Sequence, residues 1–81
     1  MMATVLRESG FNCRIYSDDH EPPHVHVVKA GVEVVIDLGD DDTSPSIRET
    51  KGMRVADVNK AIRIVTDNQQ YLREKWSEIH G

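Results

Sequence analysis

The sequence predicts an α+β domain: a small antiparallel β-meander of about four strands packed on one long C-terminal α-helix. Three observations predict it. Apolar and polar residues alternate along Phe11 to Ser17 and again along Val32 to Leu38, the period of a half-buried strand. Apolar residues in the last third of the chain step by three and four, the period of one helix face. The chain has 81 residues, 38% of them apolar and 30% charged, which suffices for a single domain over 1–81 and is too little for two.

The first strand is expected over residues 4–9. Ser9-Gly10 then turns the chain into a second strand over 11–17, with Phe11, Cys13 and Ile15 on one face and Asn12, Arg14 and Tyr16 on the other. Asp18 to Pro23 read as an extended linker, because two consecutive prolines offer no N–H to a sheet ladder. Strand patterning resumes over 24–30 and, after the Ala30-Gly31 turn, over 32–38. A two-residue turn pairs 28 with 33, 27 with 34, 26 with 35, 25 with 36 and 24 with 37. That register gathers Val25, Val27, Val34 and Ile36 on one face, and a slip of one residue would destroy the match. Residues 39–52 read as loop. The helix is expected over about 53–80, with Val55, Val58, Ile62, Val65, Gln69, Leu72, Trp76 and Ile79 along its stripe. Gln69 is the one polar member, and the weak helix formers Thr66-Asp67-Asn68 permit a bend beside it.

The net charge is −4. Residues 18–42 hold eight of the 14 acidic residues against Lys29 alone, a stretch that could draw a cation or a basic partner. The acidic balance argues against a dedicated nucleic-acid binder without excluding nucleic acid. A single cysteine, Cys13, rules out an internal disulfide and a multi-cysteine zinc site. No segment reads as a membrane span or a signal peptide, so a cytoplasmic protein with Cys13 reduced is expected.

The polar face of the sheet carries the candidate chemistry. Residues i and i+2 of a strand project to the same side, so His24 and His26 can grip one metal ion. Asp37 lies opposite His24 in the expected register. Two imidazoles and one carboxylate suit Zn, Mn or Fe(II) and leave coordination positions open; His20 or Glu21 could supply a fourth ligand. Arg7, Arg14 and Tyr16 join His24 and His26 as candidate ligand-binding residues. The same set admits metal-independent ribonuclease chemistry, with one histidine as base, the other as acid, and arginine stabilising the developing charge. The residues leave open whether the protein is an enzyme. A different class is a partner-binding module. There the helix end at Leu72, Trp76 and Ile79 would overhang a four-stranded sheet and carry a homodimer or a partner protein.

Tyr16-Ser17 followed by Glu21-Pro22-Pro23-His24-Val25-His26-Val27 resembles the bacterial domain of unknown function 4160 family. So do Thr4-Val5-Leu6-Arg7, Arg14-Ile15-Tyr16-Ser17 and a tryptophan near the helix end, here Trp76. The resemblance spans nearly the whole chain. It implies no established activity; it does imply a small partner of the kind found in toxin–antitoxin-like gene pairs. The chain departs from the family in Val34-Val35-Ile36-Asp37, where an aromatic-rich strand is the pattern, and in its acidic loop 40–42. Asp37 therefore stands outside the shared features.

Overall fold

A computed structural model describes residues 1–81. The chain runs through β1 (Met2–Glu8), β2 (Phe11–Tyr16), β3 (His24–Lys29), β4 (Val32–Asp37), β5 (Ser46–Lys51), α1 (Val55–Asp67) and α2 (Gln69–His80). The strands form one sheet in the order β1-β2-β3-β4-β5, every neighbouring pair antiparallel. The α+β class holds. The expected four strands and single helix are corrected to five strands and two helices.

The β3–β4 hairpin has the register that the valine pattern demands, from His24↔Asp37 through Val28↔Glu33. Val25, Val27, Val34 and Ile36 are fully buried on one face. They join Phe11, Cys13 and Ile15 from β2 and Val58, Ala61, Ile64, Val65, Leu72 and Trp76 from the helices in one core. Burial, reinforced by the charge of Glu8, pushes the Cys13 thiol up to about 12; it is a core residue and not a nucleophile.

The fifth strand escaped the pattern because it is an edge strand with all six residues exposed, so no apolar alternation marks it. It adds to β4 with a register irregularity between Val35 and Ile36, a bulge of the kind that blunts an open edge.

The helix is interrupted at Asn68, whose backbone leaves the helical region at φ −121°, ψ 22°. Its side-chain amide donates to Ile64 O at 2.8 Å. The polar break in the stripe has a specific cause. Gln69 Nε2 donates to the carbonyls of Leu38, Asp40 and Thr43 at 2.7, 3.1 and 3.0 Å, tying the loop after β4 to the start of α2. The loop turns at Gly39, which has φ +69°; a Cβ there would collide with the Thr43 carbonyl. Gly39→Ala is expected to cost about 3 kcal/mol, combining left-handed strain with this collision, and urea unfolding measures it. A cost below about 1 kcal/mol would mean the loop yields freely.

The stripe itself is displaced at its start. Val55 is 77% exposed, while Ala61 and Ile64, outside the expected stripe, are buried. The expected overhang at the C-terminus is absent. Leu72 and Trp76 are 0% and 3% exposed within this chain's own core, and Ile79 packs against that core. A fifth strand and a break at Asn68 let two shorter helices lie over the sheet where one long rod would have projected. No helix is long and apolar enough to cross a membrane.

Candidate metal centre

Three segments converge where β2 ends and β3 begins. After β2 the chain turns on itself: Asp19 N donates to Tyr16 O at 3.1 Å, and Tyr16 N donates to Asp19 Oδ2 at 3.1 Å. This reciprocal pair swings the Asp19 carboxylate back over the sheet. Leu38 N donates to Pro23 O at 2.9 Å, so the proline pair is anchored just before β3 starts at His24. From the other side α2 brings Trp76, whose ring lies 5.1 Å from that of His24 and whose Nε1 donates to Glu21 Oε1 at 3.3 Å. His80 stacks on Trp76 with centroids 3.8 Å apart. Its ring nitrogens lie 3.0 Å from Trp76 O and 3.1 Å from Tyr16 O, holding the end of α2 against the end of β2.

The imidazoles are oriented with little freedom. His24 Nδ1 is 2.9 Å from Pro22 O. A carbonyl only accepts, so Nδ1 carries the proton. His26 Nδ1 is 2.7 Å from Glu33 Oε2, a shorter contact than the 3.2 Å from its Nε2 to Asp19 Oδ2, and the proton is assigned to Nδ1 on that ground. Both Nε2 atoms then face the same oxygen. Asp19 Oδ2 is 3.4 Å from Nε2 of His24 and 3.2 Å from Nε2 of His26. His24 is almost fully buried, while His26 and Asp19 keep 16% side-chain exposure. Tyr16 lies edge-on to His26 with centroids 4.7 Å apart.

Ligand atoms from Asp19, His24 and His26 all lie within 4.8 Å of one another. Of the expected donors, His24 and His26 are brought together and Asp37 is not. Asp37 does pair with His24 in the ladder, but its carboxylate is held by Arg48. Arg48 also donates to Pro22 O at 3.3 Å, so Asp37 reaches the site only through the carbonyl that orients His24. Glu21 is engaged by Trp76, and His20 is exposed. Arg14 sits directly across from His26. Arg7, paired with Asn12 further along β1, is exposed and farther out.

Sequence reasoning missed Asp19 as a donor and Glu33 as an orienting group. Periodicity does not say where a linker carboxylate points. Glu33 did leave a signal: two residues from the partner of His26, it is a diagonal neighbour on the same face.

The fold and site define a small α+β meander with a two-histidine, one-carboxylate cluster at one end of its sheet. The chain belongs to the family described as Domain of unknown function (DUF4160), whose family model matches residues 10–77. No curated protein and no solved structure matches it.

Proposed function

We propose that this protein binds one divalent transition-metal ion through Nε2 of His24, Nε2 of His26 and the carboxylate of Asp19. One observation carries the reading. With both Nδ1 protons committed to Pro22 O and Glu33, the two Nε2 lone pairs face one carboxylate oxygen, Asp19 Oδ2, at 3.4 and 3.2 Å. Such an arrangement is repulsive until something positive lies between them. Donor atoms around a tetrahedral ion with bonds of about 2.1 Å stand about 3.4 Å apart, close to these separations. A carboxylate and a carbonyl behind the imidazoles are the usual outer partners of metal-ligating histidines. Two imidazoles suit Zn(II), Mn(II) or Fe(II) better than Ca(II) or Mg(II), which prefer oxygen. Three protein donors leave positions for water or a substrate oxygen, the open arrangement of a catalytic site.

A proton shared between Asp19 and one imidazole would satisfy the same three atoms, and titration separates the two cases. Tag-free protein is titrated with Zn(II), Mn(II) and Fe(II) and followed by two-dimensional amide NMR. The expected result is saturation at one equivalent, with changes confined to residues around 16–26 and 33, and none in the His24→Ala, His26→Ala double variant. Diffuse signal loss, or no change at all, would sink the metal reading.

A further inference from the structure

We infer that the open side of this centre receives a phosphate-class oxyanion, gripped by Arg14 from β2 and by Lys51 from β5. The inference rests on the metal reading above and names the ligand of that same site.

The first observation is an arginine without a partner. Of the ten lysines and arginines, Lys29, Arg48, Lys51, Arg54, Arg73 and Lys75 are ion-paired. Arg14 is not among them, although it lies in register with His26 on the same sheet face, where opposed Cβ atoms are about 5 Å apart. Its Nε is closed off from solvent and bonds nothing. A guanidinium on the sheet face next to His26, its Nε unpaired, is a donor set without an acceptor.

The second observation is the opposite rim. Lys51 joins Tyr16, Asp18, Asp19, His26 and Glu33 around one shallow depression. Its Nζ is 4.0 Å from Glu33 Oε2, and half of its side chain is exposed, so it is free to swing onto a ligand.

The charges decide the class. Among the groups lining the depression and Arg14 beside it, Asp18, Asp19 and Glu33 outweigh Arg14 and Lys51 by one negative charge, with Glu49 further out in the same cross-strand row, and an anion is repelled. A divalent ion reverses the sign, and an anion is attracted. A tetrahedral oxyanion can place one oxygen on the ion and others on the forked guanidinium and the ammonium. The site therefore binds phosphate only when it holds metal.

Calorimetry of the tag-free full chain tests this, using inorganic phosphate and phenyl phosphate with and without one equivalent of Zn(II). Both probes are expected to bind the zinc-loaded protein and not the metal-free protein. The tighter of the two assigns the site to the free anion or to phosphate esters. Arg14→Gln should weaken binding by about tenfold or more and Lys51→Gln, a change at an exposed position, by a few fold, with zinc affinity unchanged in both. Equal phosphate affinity in wild type and both variants would overturn the inference, as would binding to metal-free protein or no binding to the loaded chain. Failure to take up zinc would instead overturn the metal reading, and this inference with it.

Discussion

Asp19→Asn is expected to weaken zinc binding by more than about a hundredfold, and Asp37→Asn by no more than a few fold. The contrast tests which carboxylate belongs to the centre. Asn keeps the size of Asp19 and still offers an oxygen to Tyr16 N, so the turn after β2 survives. What disappears is the negative charge facing the two imidazoles. Glu33→Gln should fall between the two, at about ten- to a hundredfold, because Gln still accepts from His26 Nδ1 but as a weaker, uncharged acceptor. Asp37 acts only through Arg48 and the Pro22 carbonyl. Competition with a chromophoric chelator measures all three affinities. A large loss in Asp37→Asn with none in Asp19→Asn would move the ion to the other carboxylate and remove the basis of the assignment.

Trp76→Ala is expected to destabilise the fold by about 4 kcal/mol. For 81 residues the whole stability is about 4–12 kcal/mol, so this single truncation brings the chain near unfolding. Trp76 closes the core beneath α2 and also touches His24, Glu21 and His80. Trp76→Phe keeps the ring against His24 and loses only the Nε1 bond to Glu21, at a cost of roughly 1 kcal/mol, plus a small cavity. Urea unfolding of both variants gives the two numbers. A cost below about 1 kcal/mol for Trp76→Ala would show the end of α2 to be loosely held, and would restore the helix end as a free surface for a partner.

The polar face was legible because β-structure has a period of two. Once Ala30-Gly31 was read as a two-residue turn, the valines allowed one register, and that register put His24, His26, Arg14, Tyr16 and Glu33 on the same side. That the histidine pair, Arg14 and Glu33 share a face follows from alternation along three strands; that Arg14 is unpaired and that Glu33 orients His26 does not. The family was legible too, because residues 21–27 form a short, unusual string, and the family found is the one they pointed to.

Local pattern on its own determined which residues share a face of a strand or helix, and therefore the hairpin, the buried valines and the helical stripe. It could not determine what has no local period. β5 is fully exposed and carries no apolar alternation, so only pairing with β4 defines it. The break at Asn68 comes with Gln69 reaching carbonyls 26 to 31 residues away. The third member of the cluster is Asp19, placed by a turn that folds a linker back on its own strand, while Asp37 is drawn off by an arginine from β5. Side-chain direction within an element is set by backbone geometry and is written in the spacing of residues. Which distant group a carboxylate or an amide finally meets is set by packing, and only the assembled chain decides it.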